Sequence, residues 1–176
     1  MEFEKQEKVS VTAYLSMIRS KTAALLGFSM ELGAVLADAP QRDAEILKNF
    51  GINMGLAFQL KDDLLDVYGD KKKFGKQQGG DILANKKTFL LINAALGARG
   101  KEKTELQRWL AAKKFDKKRK IAAVTRIYDS LKVRALTEQK IQEFVISGFR
   151  LLDDLSVKGK ANELIRFVKD LEKRQV

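Results

Sequence analysis

Apolar and polar positions along this 176-residue chain recur at steps of three and four, the period of an amphipathic helix, and no run alternates with the period of two that marks a half-buried strand. Helices are expected at roughly 11–38, 41–68, 82–98, 101–112, 117–132, 134–155 and 160–174. The breaks between them fall at Asp38-Ala39-Pro40, at a glycine- and lysine-rich loop over 69–80, at Gly97 to Gly100, at Lys114 to Asp116 and at Lys158-Gly159. A lone proline at a helix start and glycines just past helix ends are ordinary helix punctuation. The fold class is therefore all-α. By length the chain is one domain, 1–176, large enough to bury a sizeable core. Trp109 is expected to anchor part of that core.

The second of these helices carries an unusual polar face. Asp62 and Asp66 are four residues apart and so share a face, with Asp63 beside them. Carboxylates this close repel one another unless a cation offsets them, and a hard divalent ion such as Mg²⁺ suits them, using one or two carboxylates while phosphates and waters complete its shell. A solvated acidic face paired with nearby lysines is the plainer alternative. Gly51, Gly55 and Gln59 continue the same stripe backwards. Glycine costs about 1 kcal/mol in a helix interior relative to alanine, so small residues leading to an amide and then to acids suggest the wall of a cavity with a charged mouth. Ile46, Phe50, Ala57, Leu60 and Leu64 supply the core face.

Just beyond lies Tyr68-Gly69-Asp70-Lys71-Lys72-Lys73-Phe74-Gly75-Lys76-Gln77-Gln78-Gly79-Gly80-Asp81. Its glycines free the backbone and its lysines supply positive charge beside the aspartates, a pairing that fits a metal-bridged diphosphate. A flexible, solvated basic loop is the alternative. Asp81 is expected to N-cap the next helix, with Lys86 and Lys87 in its early turns. Upstream, Lys21-Thr22 interrupts an apolar helix, either as a snorkelling surface lysine or as an ammonium and hydroxyl aimed at a phosphate.

Taken together, three groups of residues carry a family resemblance. They are Lys21-Thr22-Ala23; Phe58-Gln59-x-x-Asp62-Asp63-x-x-Asp66; and Gly75-Lys76-x-x-Gly79-x-Asp81-Ile82-x-x-Asn85-Lys86-x-Thr88. In order, spacing and flanking residues the chain resembles the C-terminal half of the trans-isoprenyl diphosphate synthases, the polyprenyl synthetase family. The likeness is clearest from residue 1 to about 97. It implies an isoprenoid-synthase-type helical bundle, C-terminal portion only. It also implies that Asp62, Asp63 and Asp66 bind isoprenoid diphosphate through Mg²⁺. By the same resemblance Lys21, Thr22, Gln59, Lys76 and Lys86 hold the allylic diphosphate, with Lys21, Thr22, Gln59 and Lys86 taking part in its ionisation. The implied activity is condensation of isopentenyl diphosphate with an allylic diphosphate.

The family also uses a first aspartate-rich motif N-terminal to the Lys-Thr pair, and here only 20 residues precede Lys21. The one other aspartate pair, Asp153-Asp154, has Lys158 at the i+4 position, which reads as a structural helix pair. The chain is accordingly expected to carry one of two metal–diphosphate poles and to be inactive alone. A silent helical scaffold, completing a site with another chain, is the alternative.

Composition narrows the chemistry further. There is no cysteine and no histidine, which excludes disulfides, thiol catalysis, imidazole acid–base chemistry and zinc sites built on either residue. The polar opening Met1 to Ser10 shows no signal peptide, and the longest apolar stretch, Ala23 to Ala37, is too short to cross a bilayer, so a cytoplasmic protein without a transmembrane segment is expected. A formal charge of +11 concentrates at 71–76 and in Lys113-Lys114-x-x-Lys117-Lys118-Arg119-Lys120. Interleaved aromatics are lacking there beyond Phe115 and no reading motif accompanies the charge, so no nucleic-acid partner is expected, and a basic nucleic-acid-binding domain stands as a third, weaker alternative. The expected partners are isoprenoid diphosphates and, to cover apolar faces of the first two helices, a second copy or another chain.

Overall fold

In a computed structural model of the chain, residues 9–69, 78–156, 163–166 and 168 are described, and every regular element among them is helical. The first helical run comprises α1 (Val11–Ile18), a turn of π-helix (Arg19–Ala23) and α2 (Ala24–Leu36). Pro40 then precedes α3 (Gln41–Tyr68), the longest described helix. The remaining elements are α4 (Gly80–Leu83), α5 (Phe89–Gly97), α6 (Gly100–Ala111), α7 (Lys117–Ser130) and α8 (Val133–Leu152).

Three expectations about helix ends and caps are corrected. The helix expected over 82–98 is two elements, because Asn85 adopts a left-handed conformation (φ 51°) and a new helix starts at Thr88, whose hydroxyl accepts the Leu91 N–H at 3.3 Å. Asp81 does not cap α4. Gly79 does, at φ 81°, where a side chain would be strained and would collide with Ile121, 2.8 Å from an added Cβ. Asp154, expected on a helix with Lys158, lies in the turn that follows α8, which ends at Leu152. Lys158, and most of the helix expected over 160–174, lie outside the described residues.

The chain groups into two compact units. The first comprises Met1–Met17 and Leu60–Gln139. Its core is built on α5, where Phe89, Leu90, Leu91, Ile92 and Ala94 are all buried, a helix apolar nearly all round. Leu60 and Leu64 of α3, Leu106 of α6, and Val124, Ile127 and Tyr128 of α7 belong to the same unit and are equally buried. Trp109 is only partly buried, with the Arg108 guanidinium 5.4 Å from its ring centre, so it is no central anchor.

The second unit comprises Ile18–Gln59 and Lys140–Val176. Phe50, Leu152 and Val168 form its core cluster, with Met54 and Phe149 packed against it. Ser156 donates its N–H (3.1 Å) and its hydroxyl to buried Asp43, holding that carboxyl below the ordinary aspartate range. Gly51 and Gly55 do not line a cavity. A Cβ on Gly55 would lie 2.6 Å from the Ala23 Cα, and one on Gly51 would lie 2.7 Å from the Leu26 carbonyl oxygen. The glycines are the contact at which two helix backbones touch, and their propensity cost is offset by that close packing. On α2, by contrast, Leu25, Phe28, Leu32 and Leu36 are exposed at steps of three and four, an apolar stripe facing outward.

Gly55→Ala is therefore expected to destabilise the protein by about 1–3 kcal/mol through overpacking against backbone. Gly33→Ala, where an added Cβ meets nothing within 4 Å, should be neutral or stabilising. Urea denaturation of both variants checks the contrast.

Candidate functional site

Helix geometry separates the three clustered aspartates. Successive residues turn by about 100°, so Asp62 and Asp66 stay on one side of α3 while Asp63 points well round from Asp62. Asp62 is exposed, Asp66 partly buried and Asp63 buried. Among the described residues no three acidic, histidine or cysteine side chains converge as a ready metal cage.

Asp63 enters the core of its unit and is held there by two donors. The buried Tyr14 hydroxyl of α1 donates to its Oδ2, and the Lys86 ammonium lies 3.3 Å from its Oδ1. Lys86 reaches the Asp81 carboxylate at 2.8 Å, so one ammonium bridges two acids. Burial pushes the Asp63 carboxyl above the ordinary range against the pull of Tyr14 and Lys86. Burial also pulls Lys86 down, but its hydrogen bonds and the charges of Asp63 and Asp81 outweigh that and raise it. The Tyr14 hydroxyl is raised by burial first and then by the Asp63 charge, so it stays a proton donor.

Asp66 is tied to the segment that follows the loop. Its Oδ2 accepts the Asp81 N–H at 2.9 Å, and Gly80 passes so close that a Cβ there would lie 3.2 Å from its Oδ1. Burial raises its carboxyl, opposed by that N–H. Gln78 closes the base of the loop by donating to the carbonyls of Val67 (2.9 Å) and Gly69 (2.8 Å). Lys76 lies outside the described residues.

In the other unit, Lys21 and Thr22 sit on the π-turn. Buried positions along the run are Tyr14, Ile18, Ala23 and Gly27, at steps of four, five and four. The five-residue step is the inserted residue of the wider turn, closed by the Ala24 N–H to the Arg19 carbonyl. Lys21 is exposed, and Thr22 donates its hydroxyl to the Gln59 Oε1 at 2.9 Å. That amide oxygen is thus already engaged.

Sequence reasoning missed Tyr14 and Asp81 as partners of the cluster. Tyr14 was detectable only as an apolar-stripe position, and Asp81 was assigned to capping. Nothing local to Tyr14 points at Asp63, because that contact closes across 49 residues, whereas Asp81 and Lys86 are five apart and the capping assignment hid their pairing.

With this geometry in view, comparison with known proteins assigns the family. The polyprenyl synthetase family model matches residues 1–128, and the chain belongs to that family. It is similar to the short chain isoprenyl diphosphate synthase of Methanocaldococcus jannaschii, 48% identical over 94 residues that make up 53% of this chain and 28% of that one. The farnesyl diphosphate synthase of Bacillus subtilis is 41% identical over 101 residues, 57% and 34% of the respective chains. Among solved structures, a geranylgeranyl pyrophosphate synthase aligns over 99% of this chain and 55% of its own, with a TM-score of 0.89 and 32% identity. The geranylgeranyl pyrophosphate synthetase from Pyrococcus horikoshii aligns over 98% and 52%, with a TM-score of 0.86 and 27% identity. The chain spans about half the length of these solved relatives. The all-α class and the resemblance to isoprenyl diphosphate synthases are both borne out.

Tyr14→Phe keeps the ring and removes one of the donors to a buried carboxylate. It is expected to cost about 1–3 kcal/mol of stability, measured by urea denaturation, without a change in helix content by circular dichroism.

Proposed function

We propose that this chain carries one magnesium–diphosphate pole of a prenyltransferase that condenses isopentenyl diphosphate with an allylic diphosphate. The carrying observation is the arrangement of acids around Lys86 on a chain of the polyprenyl synthetase family. Asp62 and Asp66 share one side of α3, and Lys86 supplies positive charge close by. An all-oxygen donor set of two carboxylates suits Mg²⁺, whose remaining positions would be taken by phosphate oxygens and water. Asp62 and Asp66 would hold the ion, while Asp63, engaged by Tyr14 and Lys86, supports them from within the core. When bound, the ion would offset negative charge developing on a departing diphosphate.

The chain's own residues would share that task. Lys86 and Lys76 would receive the diphosphate as point charges, and the family resemblance supports the same role for Lys21, exposed on the π-turn. The Thr22 and Gln59 dipoles, ordered by their mutual hydrogen bond, would stabilise an allylic cation without adding a nucleophile strong enough to trap it. Condensation needs two diphosphates held together, and this sequence contains a single DDxxD cluster. Completion by a further chain or a second copy is part of the proposal, and the outward apolar stripe of α2 supports it. No described helix is long and apolar enough to cross a membrane. A cytoplasmic location belongs to the same reading.

Two measurements test the proposal. Calorimetry should show weak binding of Mg²⁺ alone and clear binding of Mg²⁺ with pyrophosphate. Asp62→Ala should abolish the pyrophosphate-dependent signal and Asp153→Ala should leave it; tight binding of bare Mg²⁺ would count against the two-carboxylate site. In the second, the purified chain is incubated with Mg²⁺, labelled isopentenyl diphosphate and an allylic primer. No elongated product is expected from it alone, because losing several kcal/mol of charge stabilisation slows the step by about a thousandfold or more. Efficient elongation by the isolated chain would refute the idea of a single pole.

A further inference from the structure

Lys120 stands in the basic run 113–120, yet it behaves unlike its neighbours. Lys117, Lys118 and Arg119 are exposed, whereas Lys120, in the first turn of α7, is fully buried. It falls on the buried stripe Lys120, Ala123, Val124, Ile127 and Tyr128. Its ammonium donates to the Asn85 Oδ1 at 2.6 Å and lies 4.2 Å from the Phe115 ring centre. Among the described residues no carboxylate pairs with it. Burial lowers its pKa. A buried cation without a counter-ion is costly, and an apolar side chain of similar size would often be at least as stable.

What the cation does hold is the turn that carries Lys86. Asn85 is in the left-handed region at φ 51°, a conformation that asparagine tolerates better than most residues. Its side chain is gripped on both sides, accepting from Lys120 and donating to the Leu110 carbonyl at 3.0 Å. The next residue is Lys86, whose N–H bonds the Asp81 carbonyl at 2.9 Å and whose ammonium bridges Asp81 and Asp63. Ile121, beside Lys120, packs on Gly79 at the other end of the same segment. Lys120 and Ile121, near the start of α7, thus meet both ends of 79–86.

We propose that Lys120 is a positioning residue, acting through Asn85 to fix the backbone turn that aims the Lys86 ammonium between Asp81 and Asp63. Its value for diphosphate binding rests on the role given above to Lys86, whereas the clamp itself does not.

Two readouts separate those layers, both on the full 176-residue chain. Amide hydrogen exchange followed by NMR is compared between the native chain and Lys120→Met. The Asn85 and Lys86 amides are expected to exchange about tenfold faster or more in the variant, as a local opening, while Val124 and Ile127 keep their native rates. Unchanged exchange at 85–86, or equal acceleration throughout α7, overturns the proposal. If Lys120→Met loses the native circular dichroism, Asn85→Gly decides in the same measurement, since glycine keeps the left-handed backbone and removes the side chain through which Lys120 acts, together with its bond to Leu110; unchanged exchange at Lys86 in that variant overturns the proposal. In calorimetry with Mg²⁺ and pyrophosphate, Lys120→Met should weaken binding about tenfold, the lower end of what outer supporting groups contribute. In a Lys86→Ala background it should have no further effect, since the two act as one unit. A loss that adds fully to that of Lys86→Ala refutes action through Lys86. If the native chain does not bind pyrophosphate, the diphosphate reading fails, and the exchange data still decide the clamp.

Discussion

A carboxylate buried among leucines must be hydrogen-bonded or it will not stay charged, and Asp63 imposes that demand on its unit. Its position on α3 is set by helix periodicity, which turns it toward Leu60 and Leu64 rather than toward solvent. Tyr14 comes from a distant helix and Lys86 from a turn after the basic loop, and both donate to it. Lys86 in turn needs Asp81, which places its own N–H on Asp66. One buried acid thereby ties α1, α3, α4 and the turn before α5 into a single electrostatic unit. In that unit Asp62 is left exposed, free of any demand from the core.

The arrangement explains how an acidic cluster is tolerated on a helix that also builds the core. Of three aspartates within five residues, one is neutralised internally, one is stabilised by a backbone N–H, and one faces water. Repulsion among them is spread over different directions and relieved by the Lys86 ammonium. A diphosphate bridged by metal would add charge on the side that Asp62 and Asp66 share, while Tyr14 would keep its hold on buried Asp63. The proposed diphosphate pole would thus find Asp63, Asp66 and Lys86 already tied in place, which would lower the ordering cost of binding.

A different constraint governs the second unit. The close approach at Gly51 and Gly55 leaves no room for a side chain on either, since the Leu26 carbonyl and the Gly27 Cα stand against the first and Ala23 against the second. The π-turn makes this register work, because the extra residue between Ile18 and Ala23 shifts the buried stripe by one position. It also carries Lys21 and Thr22, so the irregularity falls where a phosphate-facing pair is proposed. Thr22 is oriented by Gln59 of α3, four residues beyond Gly55.

Periodicity alone determined the all-α class, the long helix 41–68 and the placement of Asp62 and Asp66 on a common side, because these depend on residues within a turn or two of each other. Motif spacing was equally local, and it carried the family. Tertiary structure decided the rest. That Gly51 and Gly55 serve a helix crossing and not a cavity depends on what stands opposite them. The splitting of 82–98 depends on Asn85 accepting a left-handed backbone that Lys120 and Leu110 hold in place. Asp63 and Lys120 resemble their charged neighbours in sequence, yet both are buried, since their stripe positions face apolar partners far along the chain. Charge patterning reports composition, whereas burial is set by packing between segments that sequence separation keeps hidden.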